Sequence, residues 1–215
     1  AFLADPDVIE WVLPREGDGT PEGRDVFDPL AFATSEGDTL YLLSAQGRPS
    51  TALTASLTAV VAFTAFQYAQ SECTDNNRRL PRPMCCVLDE AANICRWPEL
   101  ADVYSYFGSA GIPIMTIWQN PDQGKAAFGE TNFGSLFNNA NILVYLGGIK
   151  DAKWLGEISS LVGQREIVRG SLNIDGQGRR SVNNSIQKEN ILDVSDLTEW
   201  PVGRALVLAS QCRAQ

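Results

Sequence analysis

The sequence predicts an α/β fold in which a mostly parallel sheet is covered by helices on both faces. Short apolar runs alternate four times with longer helical patterns, and the runs are almost continuously hydrophobic. Strands that are buried on both faces between covering helices have this pattern. A polar, β-branched segment at 164–190, with a Gly-rich turn at 175–178, breaks the alternation and predicts a late surface β-hairpin.

Each element is predicted from its local pattern. Apolar runs predict strands at 38–45, 84–90, 112–120, 141–148 and 203–210. Periodic segments predict helices at 51–70, 97–111, 123–137 and 151–163, followed by a short helix within 193–201. The segment 51–70 carries no charge and is nearly long enough to span a bilayer. Its threonines and Gln67 interrupt the apolar surface, which favours a buried core helix over a transmembrane span.

The beginning of the chain differs in character from the rest. Residues 1–13 have the pattern of the end of a helix, and residues 14–29 are rich in proline, glycine and charge. Such a composition predicts a linker or a domain boundary. We therefore expect residues 1–24 to be the tail of another domain with its linker, and residues 25–215 to form the α/β domain.

Composition excludes several classes of function. The formal net charge of −9 argues against a free-standing binder of DNA or anionic membranes, because affinity for phosphate comes from Lys and Arg. The sequence has no histidine, which rules out Ser-His-Asp, Cys-His and histidine-ligated metal chemistry within this chain. The five cysteines lack paired spacing and are expected to be small buried side chains, with Cys85 and Cys86 on opposite faces of a strand.

Polar side chains end two of the predicted strands. Asp89 and Glu90 follow the apolar run "MCCVL", and Gln119 ends the run "IPIMTIW". Ligands of open parallel sheets bind beyond the carboxyl ends of the strands, so these side chains would meet if the two strands are neighbours.

An Asp-Glu pair after a hydrophobic strand fits a Walker B element. In that element the first carboxylate, here Asp89, holds Mg²⁺ through water, and the second, Glu90, polarises the water that attacks the γ-phosphate. Gln119 would sense that phosphate or orient that water. The alternative is a strand that ends in solvent with an acid at the start of a helix.

The loop that cradles nucleotide phosphates has its own motif, Walker A, and the sequence does not contain it. No GxxxxGK[ST] occurs, and "GQGRRS" and "GGIKDA" fail in spacing and in their final residues. Two explanations stay open. Either the motif lies before residue 1 of a longer protein, or the protein is not an ATPase.

Five motifs occur in an order that resembles one known family. They are "FDPLAFATSEGDTLYLLS", "VLDEAANI", "AGIPIMTIWQNPDQGKAAFGE", "LFNNANILVYLGGIKDAKWLGEISSLVGQ" and "ILDVSDLTEWPVGRALVL". Over roughly residues 25–210 they resemble the C-terminal half of the nucleotide-binding domain of TraG/TraD-type conjugative coupling proteins. These are the ATPases that bring DNA to type IV secretion systems.

The resemblance implies a RecA-like P-loop NTPase core that binds ATP and Mg²⁺, with the Walker A half before residue 1. It implies a homo-hexamer on the cytoplasmic side of the cell membrane, with an anchor upstream and no membrane span within this chain. DNA is the implied cargo, and a relaxase and other type IV secretion components are the implied partners. Residues 1–24 would be the tail of the helical domain that this family inserts between Walker A and Walker B.

The family's functional residues can be matched to this sequence one by one. Asp89 corresponds to the Walker B acid associated with Mg²⁺, and Glu90 to the catalytic base. Gln119 corresponds to the glutamine that ends the next core strand. Asn93 corresponds to the asparagine of "DEAANI", for which a structural role beside the catalytic residues is implied.

One position departs from the family pattern. Many relatives carry an arginine just before the "GI" of the next strand, where it reaches the neighbouring subunit's nucleotide, but here Ser109 and Ala110 precede "GI". Arg96 and Arg165 are the possible substitutes. The candidate DNA-facing cations, each with a solvated surface role as the alternative, are Lys125, Lys150, Lys153, Arg179 and Arg180.

Two other functions stay open. The chain is compatible with a non-catalytic module that docks partners or assembles a ring on an ATPase-like fold, since it has no Walker A motif. It is also compatible with another RecA-like DNA translocase, such as one for chromosome segregation, although the context "LDEAANI" favours the coupling protein.

Overall fold

A computed structural model describes residues 27–44, 50–174 and 180–210. The chain divides into two compact units, one ending at Ala140 and the other starting at Asn141. The predicted tail at 1–24, the turn at 175–178 and Cys212 lie outside the described residues. The domain boundary after residue 24 therefore stays a prediction.

The first unit consists of helices around one pair of short strands. In chain order its described α-helices and strands are α1 (Pro29–Thr34), α2 (Ser50–Glu72), β1 (Cys86–Leu88), α3 (Ala91–Ile94), α4 (Leu100–Val103), β2 (Ile114–Thr116), α5 (Pro121–Phe128) and α6 (Glu130–Asn139). Two of the helices begin with proline after a capping side chain: the carboxylate of Asp28 accepts from Leu30 N–H at 2.8 Å, and the amide oxygen of Asn120 accepts from Gln123 N–H at 2.9 Å.

The core of the first unit is aromatic and packs against α2. The buried face of α2 contains Ala62, Ala65 and Ala69, none of which has exposed surface. These small side chains let large rings approach the helix. The ring of Phe107, which is fully buried, lies 5.4 Å from the ring of Phe63 in α2, measured between centroids. Edge-to-face packing at this distance is favourable for aromatic pairs.

Helix α2 confirms the helix predicted at 51–70. Among the described residues, Thr51–Glu72 is the one helical stretch long and apolar enough to cross a membrane by length and composition, with a mean hydropathy of 1.4. About a third (33%) of its most apolar window is buried inside the protein. That buried alanine face is the one packed on the aromatic core.

Strands β1 and β2 are adjacent and parallel, and they pair over all three residues of each. Two backbone hydrogen bonds extend the pairing beyond the strands. Ile117 N–H donates to Leu88 O at 3.0 Å, and Ala91 N–H donates to Ile117 O at 3.2 Å. The strands predicted at 84–90 and 112–120 are therefore neighbours whose carboxyl ends lie at the same edge.

The second unit contains two antiparallel strand pairs. Its described elements are β3 (Ile142–Tyr145), α7 (Ala152–Val162), β4 (Gln164–Ile174), β5 (Arg180–Asn190), α8 (Val194–Thr198) and β6 (Leu206–Ala209). Strand β3 pairs with β6, and β4 pairs with β5 as the predicted hairpin. The core is formed by Leu155, Ile158 and Leu197, and the buried Tyr145 hydroxyl donates to Leu197 O at 2.9 Å. The strands and helices predicted after residue 140 are all present.

The sheet differs from the prediction. The described strands form three separate two-stranded sheets, of which only β1–β2 is parallel. Each described strand thus pairs with one other strand, and no described sheet has a third strand. The described residues therefore contain α/β architecture without the mostly parallel sheet expected from the sequence.

The strand predicted at 38–45 is wrong for the residues that the structure describes. Residues 38–44 have no regular structure, and no described strand pairs with them. The side chains of Tyr41 and Leu43 are 81% and 93% exposed. The apolar pattern is present, but a strand also needs a neighbour that accepts its backbone hydrogen bonds.

Two predicted helices are broken in the structure. At 97–111 only α4 is helical, and turns occupy residues 104–111. The helix predicted at 123–137 is divided into α5 and α6 by Gly129, whose φ of +83° cannot continue a right-handed helix. Helix α3, directly after Glu90, was not predicted, because four residues are too few to show a helical period.

Two helix glycines provide a matched test of packing. A Cβ on Gly124 in α5 would collide with the ring of Phe133, whereas a Cβ on Gly134 in α6 would meet nothing within 4 Å. We expect Gly134→Ala to raise the free energy of unfolding by up to about 1 kcal/mol, because alanine is the better helix former. Gly124→Ala should lower it by about 1–3 kcal/mol through overpacking. Urea denaturation measures both changes, and shifts of the same sign would contradict the packing described here.

Candidate functional site

The carboxyl edge of the β1–β2 pair brings two of the predicted site residues together. The side-chain amide Nε2 of Gln119 donates a hydrogen bond to Oε1 of Glu90. Gln119 is exposed and Glu90 is half-buried, so the bond lies at the surface of the first unit. The expectation that these strand ends meet at one edge is confirmed.

Glu90 has a backbone conformation that non-glycine residues rarely adopt. Its φ of 49° and ψ of 48° are left-handed, which costs on the order of 1 kcal/mol for a residue with a side chain. This conformation turns the chain sharply from β1 into α3, and Glu90 O accepts from the backbone N–H of Asn93 at 2.8 Å and of Ile94 at 3.1 Å. The turn aims the Glu90 carboxylate at the end of β2.

Asp89 and Asn93 flank Glu90 in different environments. Asp89 is exposed in the turn that follows β1, and Asn93 is half-buried in α3. The described residues contain no group of three or more Asp, Glu, Cys or His side chains that could surround a metal. Two carboxylates on consecutive residues, one exposed and one half-buried, fit a hard cation that keeps most of its water, as Mg²⁺ does. They do not fit a cation that requires a full set of protein ligands.

Gln123 is a site residue that the sequence reasoning missed. Its side-chain Nε2 donates to Oε1 of Gln119 at 3.4 Å, so a chain of amide hydrogen bonds leads from α5 to the carboxylate of Glu90. The signal was the sequence "QNPDQ", in which Asn120 caps a helix that starts at Pro121. A capped first helical turn places the fifth residue of this motif next to its first.

A known protein family matches this chain across the candidate site. The family described as the TraM recognition site of TraD and TraG matches residues 83–202, which include the whole candidate site. The chain belongs to the TraG/TraD family of coupling proteins. This membership agrees with the resemblance of the five motifs. Among curated proteins, no sequence matches this TraG/TraD-family chain.

Solved structures of a coupling protein have a similar fold. The bacterial conjugative coupling protein TrwBdeltaN70, in its unbound monoclinic form, is 20% identical with a TM-score of 0.59, covering 77% of this chain and 36% of that one. TrwB with the non-hydrolysable ATP analogue ADPNP is 19% identical with a TM-score of 0.57, covering 76% and 35%. TrwB with ADP and Mg²⁺ is 19% identical with a TM-score of 0.52, covering 76% and 36%. The TraG/TraD-family chain therefore spans about a third of the length of these proteins.

The other charged candidates are engaged locally or belong to the second unit. Arg96 donates from Nε to the Ala92 carbonyl oxygen at 2.8 Å. Lys125 lies 3.6 Å from the Asp122 carboxylate within α5. In the second unit Lys150, Lys153 and Arg165 are exposed, Arg180 starts β5, and Arg179 lies outside the described residues.

The side chains of Cys85 and Cys86, just before the site, face opposite ways, as predicted, but only Cys86 is partly buried. Cys85 is exposed, which corrects the expectation that both are buried. Val87, two positions on and therefore on the same face of the extended chain, is exposed as well. Burial is the main factor that raises the pKa of Cys86 to about 12, and the neighbouring thiols of Cys85 and Cys95 raise it further.

These environments predict different thiol reactivities. In a Cys212→Ser background at pH 8, we expect iodoacetamide to alkylate Cys85 quickly and Cys86 slowly, since a sheltered thiol with a raised pKa contains little thiolate. Mass spectrometry should show the fast label lost in Cys85→Ser and kept in Cys86→Ser. The reverse result would mean that β1 faces the other way.

Proposed function

We propose that this chain supplies the Walker B half of a RecA-like ATPase core in a conjugative coupling protein. The observation that carries the proposal is the edge at which Glu90 and Gln119 are hydrogen-bonded, directly after the exposed Asp89 in the chain. A parallel strand pair that ends in two carboxylates and an amide has the groups that phosphoryl transfer to water requires. The resemblance of the fold to TrwB supports this interpretation.

Each residue has a separate role in the proposed reaction. Asp89 holds the water ligands of Mg²⁺, and Glu90 accepts a proton from the attacking water. Gln119 fixes the orientation of the Glu90 carboxylate and can hydrogen-bond the same water. Asn93 stabilises the turn after β1. When bound, ATP and Mg²⁺ supply the γ-phosphoryl group and the positive charge that stabilises its transfer.

The other parts of the proposal concern a longer protein, because this chain spans about a third of the length of the coupling protein TrwBdeltaN70. We propose that ATP, with its phosphates held by a Walker A loop outside this sequence, drives DNA and an attached relaxase into a type IV secretion channel. The assembly is a homo-hexamer on the cytoplasmic side of the cell membrane. Residues 1–24 end an inserted helical domain, and residues 25–215 continue the nucleotide-binding domain.

A second candidate function is docking without catalysis. The family description refers to a recognition site for the protein TraM, and a net charge of −9 suits a protein partner better than DNA. In this alternative the chain binds partners or assembles a ring, and nucleotide hydrolysis does not depend on Asp89 or Glu90.

The Mg²⁺ dependence of hydrolysis separates the two functions. In the intact coupling protein that contains this sequence, we expect Asp89→Asn to raise the Mg²⁺ concentration needed for half-maximal ATPase activity at least about 10-fold, because one charge that attracts the cation is lost. Asp102→Asn, which changes an exposed acid on α4, is the control and should have no effect. Equal Mg²⁺ dependence in all three proteins would leave docking as the function.

A further inference from the structure

The side chain of Gln119 is hydrogen-bonded at both ends of its amide. Its Nε2 donates to Oε1 of Glu90, and its Oε1 accepts from Nε2 of Gln123 at 3.4 Å. An amide has one end that donates and one that accepts, so these two bonds occupy different ends and agree on which end faces the carboxylate. Gln119 is exposed, whereas Gln123 is half-buried. The glutamine that contacts Glu90 is therefore held in turn by a more sheltered one.

Such fixation matters because a glutamine side chain is long and flexible. An exposed glutamine loses more rotamer entropy on being fixed than most residues do, and a bond to Glu90 alone would let the amide and the carboxylate turn together. The bond from Gln123 connects the other end of the amide to helix α5. Because Gln119 binds one of the two carboxylate oxygens of Glu90, its orientation also determines where the second oxygen points.

The backbone of Gln123 is fixed within the first turn of α5. Its N–H donates to Oδ1 of Asn120, the capping residue, at 2.9 Å. The next residue, Gly124, is buried, and a Cβ at this position would collide with the ring of Phe133 in α6. Helix α5 is thus packed closely against α6 directly beside Gln123. A side chain on a packed helix is positioned more precisely than one on a loop.

The backbone that leads into Gln119 is anchored in the same cluster. The ring of the preceding residue, Trp118, lies 5.3 Å from the ring of Phe133 and 5.6 Å from that of Phe128, the last residue of α5, both measured between centroids. Aromatic rings at these distances pack favourably edge to face. The chain segments that contain Gln119 and Gln123 therefore share one aromatic cluster, which fixes the distance between them.

We propose that Gln123 is a positioning residue for the general base Glu90. It holds the amide of Gln119, and through this amide it keeps the second oxygen of the Glu90 carboxylate directed at the attacking water. A general base acts only within hydrogen-bond reach of the proton that it accepts, and small errors in its position lower the rate steeply. In this role Gln123 acts through Gln119 without touching the nucleotide, so it affects the chemical step and not the binding of ATP. This inference rests on the proposed ATPase function.

A purely structural role for Gln123 gives a different expectation. If only its packing in the first turn of α5 mattered, methionine would replace it well, since methionine is also a long, unbranched and flexible side chain. The hydrogen bond to Gln119 requires a donor at this position, which methionine does not have. Gln123→Met therefore distinguishes the two roles.

The kinetics of single variants of the intact coupling protein provide the first test. We expect Gln123→Ala and Gln123→Met each to lower the kcat of ATP hydrolysis about 3–10-fold with the KM for ATP unchanged, because each loses one neutral hydrogen bond that orients the base. Asn132→Ala, which removes an exposed amide on α6, is the control and should retain the wild-type kcat. A wild-type rate in Gln123→Met, or a raised KM in either variant, overturns the positioning role.

A double-mutant cycle tests whether Gln123 acts through Gln119. Gln119→Ala should lower kcat more than Gln123→Ala does, since it removes the contact with Glu90 itself. In the Gln119→Ala background, adding Gln123→Ala should change kcat by less than about 2-fold, because the residue through which it acts is already absent. Losses that multiply would show independent effects and would overturn the proposal.

Glu90→Gln separates the failure of this inference from the failure of the proposed function. ATP hydrolysis that depends on Glu90 but not on Gln123 overturns only the role of Gln123. Wild-type protein that hydrolyses no ATP, or a rate that survives Glu90→Gln, overturns the proposed function and this inference with it.

Discussion

Glu90→Gln should reduce ATP hydrolysis by the intact coupling protein about 10²–10⁴-fold, the range typical for loss of a general base. The amide keeps the size of the side chain, and it can still accept a hydrogen bond from Gln119. Binding of ATP and the free energy of unfolding should therefore change little. Steady-state hydrolysis, ATP binding by calorimetry and urea denaturation measure the three quantities separately.

A second substitution at Glu90 distinguishes the effect of the carboxylate from the effect of the left-handed backbone. Glu90→Gly allows the left-handed turn without strain, which favours the folded state by about 1 kcal/mol, but it also removes the bond to Gln119. We expect nearly unchanged stability and the same loss of activity as in Glu90→Gln. Activity that survives in either variant would exclude Glu90 as the base.

Phe107→Ala should lower the free energy of unfolding by about 3–5 kcal/mol, the typical cost of removing a buried aromatic side chain. The ring of Phe107 has no exposed surface and packs on four other rings, those of Phe63, Phe66, Trp97 and Tyr106, at centroid distances of 5.4, 5.0, 6.1 and 5.2 Å. The alanine would leave a cavity in the centre of the first unit. Urea denaturation followed by circular dichroism measures the loss.

The control for this prediction is Phe27→Ala. Phe27 is 42% exposed and contacts only the ring of Phe32 among the described aromatic pairs, at 6.0 Å. We expect its replacement to cost less than about 1 kcal/mol. Similar losses for the two variants would mean that the aromatic cluster does not form the core of the first unit.

The candidate site was largely predictable from the chain, because its residues follow directly from apolar runs. Asp89, Glu90 and Gln119 come where two hydrophobic runs end, and parallel neighbours necessarily place such ends at one edge. The place of Gln123 in the site was harder to predict from the sequence. Its contact with Gln119 depends on a helix that starts at Pro121, and the prediction placed that start two residues later.

The sequence by itself determined the α/β class, the order of the elements after residue 140 and the positions of the strand-ending acids, since local hydrophobic period and capping residues encode these features. Only the tertiary structure decided which strands have neighbours. The run at 38–45 and the run of β1 are both apolar, yet only β1 has a described partner for its backbone groups. The position of Arg79 on the carbonyl oxygens of Gly108 and Ser109 was likewise decided by folding. A contact between residues about thirty positions apart depends on the path of the chain in space, and no local pattern records it.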